Sequence, residues 1–442
     1  MSPDQMAAIG MLVLLLGMVI CGVHLAFALI FLATVFGLIF VGPAIMPMAM
    51  LKIYGTMESE ILIAVPLFVF MGSILEKSEV AEQVYQGLYE LFGSIRGGLA
   101  FATIITCTIF ASCTGVIAAT VTTMTLLAVP SMLKRKYDKG LATGVVCAGG
   151  SLGILIPPSV MLVMYGPMAS LSVAKLFAAA LFPGLLLAGL YILYIGISSW
   201  LIPTMAPAIS EDKRRVKGVK LWVRTAILML PTLFLIIAVL GSIIGGIASP
   251  TEASGVGALC ALIIAAGYRK LTYTNIKEAA DTTLIVTAMV FFIILGASIF
   301  NSVFLFLGGG ALIKSILMGL PLGKWFVLFV MMFILFIMGF FISWQGLLYV
   351  VVPIFLPVAT NLGFDPLWFG ILVCLNLQMS FLTPPFAYAI FFVKGAAPPE
   401  VSTWDIYRGV IPFVILQAIA VFLCVFFPDI ILWLPRMTLG GG

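Results

Sequence analysis

Residues 129–140 read VPSMLKRKYDKG and residues 149–160 read GGSLGILIPPSV. Residues 356–367 read LPVATNLGFDPL and residues 376–387 read NLQMSFLTPPFA. The two sets correspond at a constant offset of 227 residues, which carries Pro130 onto Pro357, Asp138 onto Asp365 and Pro157-Pro158 onto Pro384-Pro385. Each describes the end of an apolar run, a polar loop with an Asp, and an apolar helix interrupted by Pro-Pro. Proline removes one helical hydrogen bond and frees a carbonyl, so both helices are expected to break. Gly/Pro-interrupted apolar segments at corresponding positions in two halves point to the binding region of a secondary transporter. Freed carbonyls and nearby hydroxyls are hard oxygen ligands suited to Na⁺. The N-termini of half-helices carry positive partial charge and suit an anion.

Composition agrees with a membrane setting. Of 442 residues, 63% are hydrophobic and 9% charged, and the mean hydropathy is +1.26. Soluble domains carry roughly 45–50% apolar and about 25% charged residues. Apolar runs long enough to cross a bilayer core of about 30 Å recur along the chain. They are continuous rather than alternating, which favours helices over a barrel. The expected class is an all-α polytopic membrane protein with phospholipid as its solvent. The net charge of +5 comes from basic residues in short loops, which fits the positive-inside rule rather than nucleic acid. The seven Cys show no CxxC pair, so neither disulfides nor a metal cluster is expected. The first apolar run lacks a basic n-region and an AxA-like site and is read as a retained helix.

Along the chain, Met6 to Val41 exceeds one span and is expected to break at Gly22 and His24. Ile61 to Leu75 is a shorter apolar run. Between Glu76 and Arg96, acidic residues alternate with Val80, Val84, Leu88 and Leu91 at a helical period, which predicts an interfacial helix. Leu99 to Leu133 carries Ala111-Ser112-Cys113-Thr114-Gly115 at its middle and predicts a re-entrant hairpin. Lys175 to Ile202 spans again. Residues 1–202 form the first half, residues 203–224 a basic cytoplasmic linker with Lys213, Arg214, Arg215 and Lys217 beside Glu211 and Asp212, and residues 225–442 the second half. In that half, spans are expected near 225–244, 254–268, 282–300 and 326–342, then an apolar run to Asn361, the second broken helix, and a last span near 409–434. The total is roughly 10 to 12 membrane elements.

These segments resemble the large membrane subunit of tripartite ATP-independent periplasmic (TRAP) transporters. The resemblance covers nearly the whole chain. It rests on Ala64, Pro66, Leu67 and Phe68 with Met71-Gly72, on Gly97 to Ala100, on the run from Ala148 to Ser159, on Ser249 to Ala253, on Pro353 to Pro357, and on Thr383-Pro384-Pro385. It implies an elevator-type transporter, with two hairpins and two broken helices in a mobile core within a scaffold. It further implies coupling to two or more Na⁺, a small four-helix membrane subunit, a periplasmic substrate-binding protein and a small organic anion substrate, a carboxylate or sulfonate, in the bacterial inner membrane. Two positions depart from the family pattern. The first hairpin tip is Ser112-Cys113-Thr114-Gly115 rather than a Ser-Gly-Ser type turn. Ser343 stands where an Asp is common, ten residues before Pro353.

The cation candidates are Ser112, Cys113, Thr114, Gly115, Gly153 and Pro157 in the first half. In the second half they are Ser343, Gly346, Asn376, Ser380, Thr383 and Pro384. The substrate candidates are Ser151, Ser159, Trp344, Gln345, Pro385 and Arg96, with Lys394 as a further anion contact. Glu252 is expected to start a helix, and His24 to be structural or interfacial rather than a proton relay. The competing transporter reading is a Na⁺- or H⁺-coupled anion or dicarboxylate carrier that works without a binding protein. A membrane-embedded enzyme would need a nucleophile with a base or a metal cluster, and one histidine without paired intramembrane carboxylates supplies neither. No Walker motif supports an ATP-driven pump.

Overall fold

A computed structural model describes residues 2–115, 117–208, 219–384 and 387–440. The linker residues Glu211 to Lys217 and the candidate Pro385 lie outside these ranges. Among the described residues the regular structure is entirely helical. The first half runs α1 (Pro3–Ile20), α2 (Leu25–Phe36), α3 (Ile45–Met57), α4 (Ala64–Lys77), α5 (Val80–Phe92), α6 (Gly98–Thr114), α7 (Ile117–Leu133), α8 (Lys139–Ser151), α9 (Val160–Ala169) and α10 (Val173–Leu201). The second runs α11 (Val219–Ile236), α12 (Ser242–Ile244), α13 (Pro250–Gly267), α14 (Tyr273–Phe306), α15 (Gly309–Met318), α16 (Gly323–Met338), α17 (Trp344–Asn361), α18 (Pro366–Ser380), α19 (Tyr388–Ala396), α20 (Thr403–Phe426) and α21 (Asp429–Thr438).

The helices repeat as the sequence segments do. From α6, α7, α8 and α9, the counterparts α16, α17, α18 and α19 start 225, 227, 227 and 228 residues later. Contacts are exchanged between the halves. α4 packs on α13 and α14 on α2; α7 packs on α19 and α17 on α9; α8 packs on α20 and α18 on α10. One hydrogen bond joins equivalent positions directly: the Gln378 amide donates to Ser151 Oγ at 3.2 Å, across 227 residues of chain.

The Asp of each polar loop is a helix cap. Asp138 Oδ1 accepts from the Leu141 amide at 2.9 Å, and Asp365 Oδ1 from those of Leu367 and Trp368 at 2.8 and 3.0 Å. Such caps satisfy amide donors that the first helical turn leaves open. Glu252 forms a capping box with Ser249 at the start of α13, the helix-start role expected of it.

Eight helices among the described residues are long and apolar enough to cross a membrane, or nine if the bent pair Glu60–Lys77 and Val80–Phe92 is one span. Seven more apolar helices are shorter, α6 to α9 among them. Several boundaries differ from expectation. The polar stretch after Glu76 divides between α4, which runs on to Lys77, and α5, with Glu79 left-handed at the junction (φ 60°). The polar face of α5 is held by ion pairs of Lys270 with Glu79 (2.5 Å) and Arg224 with Glu90 (3.3 Å). Val219 to Arg224, expected in the linker, already belong to α11. The last span ends at Phe426, because Pro428 starts the separate α21.

One close helix approach, of α8 on α20, is glycine on glycine. A methyl group on Gly144 would lie 2.2 Å from the Gly409 carbonyl oxygen, and one on Gly409 2.0 Å from that of Gly140. Gly140 and Gly144 lie four residues apart on α8, the small-residue spacing that lets backbones meet in lipid. Gly409→Ala is therefore expected to destabilise the protein by about 1–3 kcal/mol through overpacking. Gly189→Ala, which meets nothing within 4 Å, serves as the matched control. Thermal melting of the two variants in detergent checks this.

Candidate substrate and cation site

Helix α6 ends at Gly115, which adopts the left-handed conformation (φ +59°). Position 115 favours glycine for that reason and also lies against the first break: a Cβ there would be 3.2 Å from the Pro158 carbonyl oxygen and 3.5 Å from the Val160 nitrogen. Gly72 of α4 presses on the same tip, within 2.7 Å of the Thr114 carbonyl oxygen by the same measure. Gly153 in the turn after α8 faces Ala111 of α6. Ser112, Thr114, Gly115, Gly153 and Pro158 are thus gathered around one break. Thr114 Oγ1 lies 3.0 Å from Thr120 Oγ1 across the hairpin. Cys113 is fully buried beside them.

The second break is built alike. Ser380 abuts Gly339, the C-cap of α16, whose added Cβ would lie 2.5 Å from Ser380 Cβ. The Asn376 amide donates to the Met332 carbonyl at 2.6 Å and ties α18 to α16. Pro384 is exposed at the end of the break. Gly346 packs directly on Leu25, the first residue of α2.

The hydroxyls at both breaks donate to nearby carbonyls of their own segment. Ser112 donates to Thr108 O (2.9 Å), Thr114 to Phe110 O (3.2 Å), Ser380 to Leu377 O (2.6 Å) and Thr383 to Met379 O (2.7 Å). This local bonding is common for Ser and Thr. It uses the proton and leaves hydroxyl lone pairs as acceptors, so these oxygens suit a cation.

Between the two breaks lies a cavity of about 440 Å³. Ile117 and Trp344, Ala118 and Gln345, and Ile154 and Phe381 all line it. Each pair is 227 residues apart, so equivalent positions face one another across the cavity. The first residues of five helices also reach it: Leu25 of α2, Ile117 of α7, Val160 of α9, Trp344 of α17 and Tyr388 of α19. Ser343, the N-cap of α17, makes no side-chain capping bond and lines the cavity as well. Among the described residues, no Lys, Arg, Asp or Glu lines it.

The other candidates lie elsewhere. Ser151 is buried among Gln378 and Gln417, off the cavity. Ser159 caps α9 and donates to the Ile154 carbonyl. Arg96, expected as an anion contact, is exposed in the turn before α6, where its charge stays hydrated, and does not line the cavity. Lys394 donates to the Val401 carbonyl at 2.8 Å. His24, expected to be structural or interfacial, lines the cavity. The break between α1 and α2 was legible, but the packing of Leu25 on Gly346 that brings His24 to α17 was not.

Comparison with known proteins agrees with this architecture. The family model described as "Tripartite ATP-independent periplasmic transporter, DctM component" matches residues 10–430. The chain is 30% identical over 389 residues to the C4-dicarboxylate TRAP transporter large permease protein DctM of Pseudomonas aeruginosa, covering 87% of this chain and 88% of that one. It is 30% identical to the ectoine/5-hydroxyectoine large permease of Ruegeria pomeroyi, covering 85% and 86%. It is 29% identical to the sialic acid large permease of Vibrio cholerae, covering 97% and 98%. The solved YdaH transporter of Alcanivorax borkumensis shares the fold with a TM-score of 0.64 at 14% identity, over 91% of this chain and 97% of that one. The chain thus belongs to the DctM family, the large membrane subunit of TRAP transporters, a non-enzymatic, multi-pass protein of the bacterial inner membrane.

Proposed function

We propose that the chain carries out Na⁺-coupled uptake of a small organic anion delivered by a periplasmic binding protein, working with a small membrane subunit. The carrying observation is the cavity on which the two breaks and five helix N-termini converge. With no Lys or Arg in its lining, the attraction for an anion comes from these partial charges. Na⁺ is cargo in this reading. Its ligands are oxygens at the breaks: Ser112, Thr114 and Gly115 with Pro158 on one side, and Ser343, Ser380 and Thr383 on the other. A Na⁺ held beside the cavity supplies the full positive charge that the lining lacks and couples the two binding events.

The transport step is proposed as an elevator motion. α6 to α9 and α16 to α19 move as one body, with α1 to α5 and α11 to α15 as scaffold. The direct bond from Gln378 to Ser151 and the packing of α7 on α19 and α17 on α9 hold that body together. α14 forms the stationary wall of the cavity. Residues 1–202 and 225–442 are proposed as the two repeats.

Replacing external Na⁺ by K⁺ is expected to abolish uptake in proteoliposomes that contain the chain with its partners. Uptake sustained by a proton gradient alone overturns Na⁺ coupling, and uptake by the chain alone overturns dependence on a binding protein. Thr383→Ala is expected to raise the Na⁺ concentration for half-maximal uptake by about three- to tenfold, the loss of one modest oxygen ligand, with little change in melting temperature.

A further inference from the structure

The cavity has one polar corner and otherwise apolar walls. Val286, Met289, Val290 and Ile293 line it from α14. Their spacing is that of a single helix face, so this wall is apolar along its length. Phe341, Phe381 and Phe392 line it too, and Trp344 and Tyr388 add two further rings. The polar side chains His24, Ser343 and Gln345 lie together, because the contact of Leu25 with Gly346 sets the start of α2 against the first turn of α17. Among the described residues, His24 supplies the one imidazole of the lining, and no Lys or Arg joins it. At about 440 Å³ the space falls within the usual range for a small-molecule pocket, roughly 300–1,000 Å³.

We propose that this cavity selects anions with a single charged head and an apolar body, and rejects dicarboxylates and polyhydroxylated acids. The proposal rests on the reading that the cavity receives an anion. A single head at the polar corner meets the N-terminus of α17, Ser343, Gln345 and His24. The remainder of the ligand then lies against valine, isoleucine, methionine and aromatic rings, where burial of apolar surface drives binding. A second carboxylate, or a row of hydroxyls, placed against the α14 face or the phenylalanine rings would lose its hydration there without a hydrogen-bond partner. The selection therefore differs from what the names of the C4-dicarboxylate and sialic acid relatives describe.

The test is thermal melting of the purified full chain in Na⁺-containing detergent with phenylacetate, hexanoate, succinate or gluconate at equal concentration. Phenylacetate and hexanoate are expected to raise the melting temperature, as ligands of the folded state do, while succinate and gluconate leave it unchanged. Trp344→Ala is expected to remove the phenylacetate shift and Trp344→Phe to keep it. If the alanine variant does not fold, the comparison of probes on the unaltered chain decides. A shift with succinate or gluconate at least as large as with phenylacetate overturns the selectivity and leaves the anion reading standing. No shift with any of the four overturns both. A full phenylacetate shift in a folded Trp344→Ala variant overturns this cavity as the place of selection.

Discussion

A peptide group in the bilayer core has no water to turn to, so a backbone that leaves its helix there must be satisfied or enclosed by protein. The structure is organised around two places where the backbone leaves its helix, after Ser151 and after Ser380. Each break is enclosed by the tip of a neighbouring helical pair and by close contacts at glycine. Gly115 lies on Pro158, Gly72 on Thr114, and Gly339 on Ser380. Local side-chain bonds complete the enclosure, such as those of Ser159 with the Ile154 carbonyl and of Thr383 with that of Met379. What remains between the two enclosed breaks is the cavity.

Much of this was legible before any coordinates. The 227-residue offset of Pro-Pro, Asp and Pro located both breaks, because proline's missing amide acts locally and leaves a mark in the sequence. The small polar tip at Ser112 to Gly115 was legible for the same reason. The starts of α8 and α18 could have been sharper, since the Asp of each loop is an N-cap, a local role.

Other features depend on distant contacts and left little trace. α14 begins at Tyr273, nine residues ahead of its expected start. Its first turns carry Lys277, Glu278 and Asp281, and Glu278 is paired with Lys77 from the other half. α15 was missed because a ten-residue helix between two glycine-rich turns lacks the length by which spans are recognised. His24 belongs to the cavity only through the contact of Leu25 with Gly346. The exposed Arg96 shows the converse: a charge near an apolar run is a weak guide to a site, because long basic side chains reach water from many places.

A cavity shared by equivalent positions of two halves would, with identical walls, hold a ligand equally well in either of two poses related by half a turn. Here the paired positions have diverged. Isoleucine 117 faces tryptophan 344, alanine 118 faces glutamine 345, and isoleucine 154 faces phenylalanine 381. The larger partner always comes from the second half, and in two of the three pairs it also carries a hydrogen-bonding group. That bias removes the degeneracy and gives an occupant a head end and a tail end. These three differences between corresponding positions give the chamber two unlike sides.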